Sequence, residues 1–533
     1  MAEQIIVNVT SFETRLAVVE DGHLLEVLVE RHKDRGIVGN VYLGRVQRVL
    51  PGMQAAFVEI GLDKAAFLYV GDVVPPDDDV DESALNESGE GASVVEEDDA
   101  AREKAPVRSN KKKARRPERI EDVLKQGQSV LVQIAKDAIG TKGPRVTCNI
   151  SLPGRYLVYM PTHTHVGVSR RITDDAERQR LKVILEAARP DEGGYVVRTV
   201  SEGLDAEKIK TDATFLHTMW TDVKNRSQGI SGPALIQREL DLVLRTARDL
   251  LTDNVTRMVV DDRETWAQLR HFMGLRDPHL VERIELYEST EPIFDHFEIE
   301  PEIGRAMNRK VWLKSGGYLV IDQAEALTAI DVNTGRFVGK RNLEETILKT
   351  NLEAVDEVAT QLRLRNIGGM VIIDFIDMEA EIHREQISAA LVEALKGDRA
   401  RCNVVRMSEL GLVEMTRQRT RESLTRMLTE PCWYCEGRGT LKSKRSIAFE
   451  IFRQLEHLAG RLSEPVVVVQ AHPEVADLML DEETDVLLAI EGRIQKPVVV
   501  RPRGSFHQEQ FDIFGASEQN LEGALRTARS KVA

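Results

Sequence analysis

Ala326-Leu-Thr-Ala-Ile-Asp-Val-Asn-Thr-Gly335 and Gly368-Gly-Met-Val-Ile-Ile-Asp-Phe-Ile-Asp-Met378 are the stretches on which the reading of this chain turns. Leu327 to Asn333 alternates apolar and polar residues, the period of a half-buried strand, and Gly317 to Asp322 reads as its partner. Met370 to Ile376 is a continuous apolar run that fits a buried strand, with Asp374 near its end. Between the two, apolar residues at Leu343, Ile347, Leu348, Leu352, Val355, Val358 and Leu362 recur at helical spacing until Gly368-Gly369 stops the helix. Side chains alternate across a strand, so Asp331 and Asn333 share one face, where a returning strand can set Asp374 beside them. Three oxygen-bearing side chains would then converge, a donor set suited to Mg²⁺, which takes one or two protein carboxylates and keeps waters or substrate phosphate oxygens. The structural alternative is that these acids cap turns or pair with Arg363 or Arg365.

Upstream of this segment, Asn40 to Val49 and Ala55 to Ile60 alternate apolar and polar residues around a Pro51-Gly52 turn. Ser129 to Ile134 and Arg145 to Ile150 supply two more strands, so residues of about 36 to 150 read as a small barrel, most naturally an OB-fold. A long charged insertion interrupts it. Asp77 to Asp99 holds eleven acids and no Lys or Arg, whereas Arg102 to Arg119 carries nine basic residues against Glu103 and Glu118. Few of these residues could join a core, so the block over 75–118 is expected to be disordered, a solvated loop whose basic half could touch nucleic acid. Residues 150–240 mix short strands such as Tyr195 to Val200 with helical runs, and Gln237 to Leu251 is an amphipathic helix. Downstream, Pro465 to Gln470 and Pro497 to Arg501 are strands of a small C-terminal unit.

Length and composition agree with several compact units. The 533 residues are 42% hydrophobic and 30% charged, and the net charge of −15 owes most of its size to the acidic block. No apolar run approaches the roughly 20 residues that a membrane helix needs, which excludes a spanning helix. The N-terminus lacks a basic region followed by a long apolar one, so a cytoplasmic location is the expectation. Four cysteines, Cys148, Cys402, Cys432 and Cys435, are too few for a disulfide framework. Cys432-Trp-Tyr-Cys435-Glu-Gly-Arg-Gly439 has the spacing of half a zinc knuckle. Two more ligands would come from Cys148 and Cys402 or from the same motif of a second chain, and a redox pair is the remaining alternative.

The runs 326–335 and 368–378, with Asn351-Leu-Glu-Ala-Val-Asp-Glu-Val-Ala-Thr-Gln-Leu-Arg-Leu-Arg365 between them, closely resemble the catalytic core of the ribonuclease E/G family. The likeness extends over nearly the whole chain. It implies a multidomain α/β and α+β fold. An RNase H-like subdomain would span 1–35 and 243–306, and an OB-fold barrel 36–150 with its disordered insertion 75–118. A 5′-end sensor region would occupy 151–242, a DNase I-like catalytic subdomain 307–428, a zinc link 429–442 and a small α/β domain 443–533. The implied activity is Mg²⁺-dependent hydrolysis of single-stranded RNA to 5′-phosphate and 3′-hydroxyl ends, in rRNA and tRNA processing and mRNA turnover. Asp331 and Asp374 would hold the Mg²⁺, and Asn333 would position the phosphate or the attacking water.

The same resemblance places RNA contacts at Phe57, Phe67 and Lys142. Composition alone would read the two phenylalanines as core. A sensor for a 5′-monophosphate matches at Gly154, Val158, Arg198, Thr199 and Arg401, with Arg170 and Arg171 at its rim. There an arginine fork, a hydroxyl and a close backbone suit phosphate oxygens. Cys432 and Cys435 would share one zinc with a second chain, making a homodimer, with further pairing into a tetramer left open. The motif departs from the family's usual Cys-Pro-x-Cys by having Trp433 after the first cysteine and a proline at 431. Because the chain stops soon after the small domain, the expectation is a likeness to the short members of the family, with the subtype open. The rival from another class is a non-catalytic RNA-binding or assembly factor, in which the barrel binds RNA and the acids are structural.

Overall fold

The structure is a computed structural model that describes residues 3–73, 119–138, 142–190, 192–230, 232–335, 343–408, 410–458 and 461–517. These fall into two compact units, Met1–Met427 and Leu428–Ala533. The charged block expected over 75–118 lies outside the described residues.

Within the first unit, Val41–Leu50, Ala55–Glu59, Ala66–Tyr69, Arg145–Thr147 and Ser129–Lys136 pair in that order, and the last pairs back onto the first. The sheet therefore closes into a five-stranded barrel, which removes its free edges. Ala56, Val58, Ala66, Leu68, Val132, Ile134 and Val146 fill its interior. Ala234–Gln237 adds to the outside of the Val41–Leu50 strand. The helix expected from Gln237 is consequently shorter, Leu242–Leu250, beginning where the Asp241 carboxylate caps the N–H of Leu244 at 2.8 Å. A second, five-stranded sheet interleaves distant segments. Glu3–Val9 pairs in parallel with Val255–Val260 and antiparallel with Glu13–Glu20. A third sheet carries Leu152–Pro153, Leu157–Met160, Gly194–Val197 and Val166–Val168, packed on the helices Asp175–Ala188 and Ala206–Gln228.

The sheet that decides function has six strands, in the order Lys310–Trp312, Tyr318–Gln323, Leu327–Asn333, Gly369–Asp374, Leu412–Arg417 and Cys402–Val404. One face presents Leu319, Ile321, Ile330, Val332, Val371, Ile373, Val413 and Met415 to a core completed by the helices Leu343–Leu364 and Glu381–Ala394. Each fully buried Val, Leu or Ile contributes about 1.5–3 kcal/mol relative to exposure. Among the described residues, helices pack on that face. The run from Met370, read as buried throughout, accordingly alternates: Val371 and Ile373 are buried while Met370 is 51% exposed. Among the described residues, the other face exposes Ala329, Asp331, Met370, Asp374, Glu414 and Thr416.

The second unit packs Lys444–Leu458, Pro473–Leu480 and Thr484–Ile494 around a sheet of Val498–Pro502, Val466–Ala471 and Phe511–Ala516. Among the described residues, no helix is long and apolar enough to cross a membrane.

Candidate functional site

On the open face of the six-stranded sheet, Asp331 stands directly opposite Asp374 in parallel register. Neighbouring strands run about 4.8 Å apart, so the two carboxyls occupy adjacent positions. Asn333, one pleat further on, donates from Nδ2 to Asp331 Oδ2 at 2.8 Å. Partial burial pushes the Asp374 carboxyl above its ordinary range, and the charges of Asp331 and Asp377 push it further. Like charges held this close are what a cation relieves. The pairing alternative for these acids is not realised at Arg365, which is buried and donates from Nε to Gln361 at 2.6 Å. Among the described residues no group of three or more His, Cys, Asp and Glu is arranged to hold a metal. What the site offers is two carboxylates and an amide, all hard oxygen donors, which fits an ion that completes its shell with water and phosphate.

Two residues that support this pair went unread in the sequence. Asp377 closes an Asp-x-x-Asp spacing with Asp374 and contributes to its electrostatics. Asn351 is fully buried on the helix Leu343–Leu364; its Nδ2 donates to the Ile376 carbonyl at 2.9 Å and its Oδ1 accepts from the Ile376 N–H at 3.1 Å. It clamps the segment between Asp374 and Asp377 to the helix. The signal was an amide on the apolar face, four residues from both Ile347 and Val355. Gly335 fixes the turn after Asn333: it sits at φ +61°, and a Cβ there would lie 2.3 Å from the Gly316 carbonyl.

On the barrel, Phe57 lies directly opposite Phe67. Their rings meet edge to face, with centroids 6.0 Å apart and planes at 70°. Both are half-buried and face outward, because Ala56, Val58, Ala66 and Leu68 on the alternate positions fill the interior. They form a platform on the barrel wall. Lys142 is exposed, on a loop tied beside this platform where the Phe67 N–H donates to the Pro144 carbonyl at 2.8 Å.

The third sheet brings the sensor candidates together. Arg198 donates from Nη1 to the Gly154 carbonyl at 2.6 Å and to Asp249 at 3.3 Å. Thr199 Oγ1 lies 3.1 Å from Ser169 Oγ, which also accepts from the Arg171 N–H at 3.3 Å. Val158 is buried on the central strand and pairs with Val196. Gly154, expected to let the backbone approach a phosphate, is under a tighter constraint. A Cβ there would fall 2.5 Å from Asp212 Oδ2 and 2.9 Å from Leu216 Cδ1, so the packing helix itself excludes any side chain. Arg401 joins from the six-stranded sheet: it lines a cleft of about 690 Å³ with Arg171, Gly369, Met370, Asn403 and Thr416. That cleft lies at the opposite end of the Gly369–Asp374 strand from Asp374, about 16 Å away at strand rise. Burial pushes the Asp249 carboxyl up, but hydrogen bonds and charge from Arg248 and Arg198 outweigh it and hold the group below its usual range.

The four cysteines separate into two kinds. Burial and Asp72 push the Cys148 thiol up to about 12, and burial with Asp398 pushes Cys402 up to about 11. Both are poor sources of thiolate and pack against different cores. Cys432 is the reverse: backbone N–H groups of Cys435 and Tyr434 and the Cys435 side chain hold it below the usual thiol range. The Gly439 N–H also reaches Cys435 Sγ at 3.4 Å. This loop, with Glu436, Gly437 and Gly439 at positive φ, turns its amides toward sulfur, an arrangement that suits two thiolate ligands.

Comparison with known proteins gives the arrangement its relatives. The family model described as "Ribonuclease E/G family" matches residues 151–420. A second, "RNase E/G, Thioredoxin-like domain", matches 431–518. The thioredoxin-like label was not foreseen. Cys432 and Cys435 nonetheless precede the first helix and first strand of that domain instead of sitting where a strand enters a helix. Ribonuclease G of Escherichia coli K12 is 44% identical over 513 residues, covering 96% of this chain and 99% of the relative. Ribonuclease G of Haemophilus influenzae is 42% identical over the same length. Ribonuclease E of Escherichia coli K12 is 35% identical, over 92% of this chain and 44% of its own. These likenesses make the chain a nuclease of mixed α/β fold. The chain belongs to the ribonuclease E/G family, and it is an endoribonuclease.

Proposed function

We propose that the protein cleaves single-stranded RNA with Mg²⁺, leaves 5′-phosphate and 3′-hydroxyl ends, and prefers substrates with a 5′-monophosphate. The observation that carries this reading is the register that sets Asp331 opposite Asp374 with Asn333 on the same open face. Asp331 and Asp374 would hold the ion, and Asn333 orients Asp331 while its remaining amide group positions the phosphate or a water. Bound Mg²⁺ would lower the pKa of a coordinated water and offset charge building on the phosphodiester. Phe57 and Phe67, on what we read as an OB-fold barrel, stack unpaired bases, and Lys142 meets the backbone.

At the sensor, the donors of Arg198 not used by Gly154 and Asp249, together with Thr199, receive the terminal phosphate, and Arg401 closes the pocket across the cleft. A triphosphate is crowded out. The RNase H-like and DNase I-like assignments of the second and catalytic sheets belong to the same reading, as do a cytoplasmic location and a role in rRNA and tRNA processing and mRNA turnover. For the link, Cys432 and Cys435 and the same pair from a second chain hold one Zn²⁺ between two protomers. Two such dimers can pair again.

The test is cleavage of one short RNA bearing either a 5′-monophosphate or a 5′-triphosphate, with Mg²⁺ or with a chelator. Faster cutting of the monophosphate that requires Mg²⁺ is expected. Equal rates would remove the sensor, and cutting in chelator would remove the metal. For the link, metal analysis should find one zinc per two chains, and Cys432→Ser should halve the mass in solution.

A further inference from the structure

The open face does not end at the carboxylates. Asn333 lies opposite Tyr318, and Tyr318 lies opposite Trp312, so the same face continues across two more strands to the sheet edge. At about 4.8 Å per strand, Tyr318 stands one spacing and Trp312 two spacings from Asn333. Alternation turns Leu319 and Val311 into the core and leaves these aromatics outside it. Trp312 is 65% exposed. Its ring meets that of Tyr318 at 5.4 Å between centroids and 62° between planes. The Lys310 ammonium lies over both, 4.0 Å from the centroid of Trp312 and 3.4 Å from that of Tyr318.

Single exposed apolar residues need no explanation, but an ordered cluster in line with a reactive centre does. Two flat π surfaces offer any base a stacking partner, and a cation between them can meet the phosphate that follows. With Lys314 exposed nearby, the edge is cationic. It attracts a polyanion and repels its own copy.

We propose that Trp312 and Tyr318 form a base-stacking subsite that grips nucleotides next to the scissile phosphate, with Lys310 contacting the intervening backbone. The proposal rests on cleavage at Asp331 and Asp374. It adds a second aromatic platform, separate from the Phe57–Phe67 pair on the barrel, and gives the catalytic sheet a grip on RNA of its own. Stacking supplies contact without base identity, so the subsite sets where the strand lies rather than which sequence is cut.

The test uses the full chain carrying Asp374→Asn, to keep RNA intact, and a 5′-monophosphorylated single-stranded RNA in Mg²⁺. RNA should quench tryptophan emission, and Trp312→Phe should remove most of that quench while preserving affinity. Trp312→Ala should weaken binding about tenfold. In the otherwise unmodified enzyme it should raise KM by a similar factor with a smaller effect on kcat. An abasic site walked along the RNA should cost the parent most at one position near the cleavage point and cost Trp312→Ala nothing extra there. Trp312 is exposed, so an unchanged melting temperature is expected and checks folding. Equal binding by Trp312→Ala with an unchanged abasic profile would overturn the subsite. So would a loss of affinity that tracks a change in oligomeric state, which would make Trp312 a contact between copies. An unmodified chain that neither binds nor cuts RNA would overturn the nuclease reading on which the subsite depends.

Discussion

The exposed carboxylate pair and the half-buried arginine cluster handle charge in opposite ways. Asp331 and Asp374 stand opposite each other on neighbouring strands, Asn333 donates to Asp331, and the charge of Asp331 adds to the upward push on Asp374. Around Arg198, each charge has an internal answer. Asp249 accepts from Arg198, and from Arg248 Nε and Nη2 at 3.0 and 2.8 Å, while the Arg276 guanidinium lies 3.6 Å from Asp212. On the proposed reading, a cation would relieve the first site. On the same reading, the second would hold its arginine in place before a phosphate arrives, which lowers the ordering cost of binding.

The sharpest way to test this contrast is to remove one acid of the pair. Asp331→Asn or Asp374→Asn should lower kcat more than about 100-fold, since loss of even an outer partner of a metal site commonly costs 10–100-fold. RNA binding, measured separately, should persist. A variant that still cuts at near-parent rate would show that the pair does not hold the catalytic ion. Next in size is Asn351→Ala. It leaves the Ile376 N–H and carbonyl without their partner and should cost about 1–3 kcal/mol of stability in denaturant melts. Because the same segment carries Asp374, kcat should fall as well, and a loss of stability with kcat unchanged would make Asn351 a packing residue only.

The arginine cluster predicts a different pattern. Arg198→Lys keeps the charge but loses the planar fork. The preference for 5′-monophosphate over 5′-hydroxyl RNA should fall about tenfold, the scale of one charge-assisted hydrogen bond, while cleavage of the 5′-hydroxyl substrate holds steady. Asp249→Asn should reduce the same preference by letting Arg198 drift. Equal losses on both substrates would mean that the cluster supports the fold and not the sensing of the end.

How much of this was legible in the sequence follows from the range of the interactions. Strand alternation put Asp331 and Asn333 on one face, and the helix between the strands was readable from its apolar spacing. Those are local periodicities. The bare face of the sheet was not readable, because the run from Met370 looks the same whether helices cover one side or both. Arg198 was read with a free fork, whereas the fold hands one of its nitrogens to Asp249, 51 residues away, and to the Gly154 carbonyl. Gly154 shows the same limit: its type was noticed, but the reason lies in Asp212 and Leu216 on a helix that no local pattern could bring there. The turn that brings Cys432 and Cys435 together is built from adjacent residues and was legible as a spacing, whereas the thioredoxin-like domain is defined by pairings that spacing does not reveal.

The smallest expected effect separates the two charge clusters by sign. Asp374 has its pKa raised in the folded chain, so folding favours its protonated form. That contribution is present below the ordinary carboxylate value near 4 and is lost as pH rises through the raised one. Asp249 has its pKa lowered, so its contribution is present above the ordinary value and is lost as pH falls through the depressed one. Melting temperature followed from about pH 3 to 7 in chelator should thus diverge between variants. Relative to Asp374→Asn, the parent should lose ground as pH rises; relative to Asp249→Asn, it should gain ground over the same interval. Adding Mg²⁺ near neutral pH should restore the parent against Asp374→Asn, because the ion supplies the charge the pair lacks, and should leave the Asp249 comparison unmoved. Two curves of the same sign, or an Mg²⁺ response at Asp249 equal to that at Asp374, would mean that the clusters are not the opposites their geometry describes.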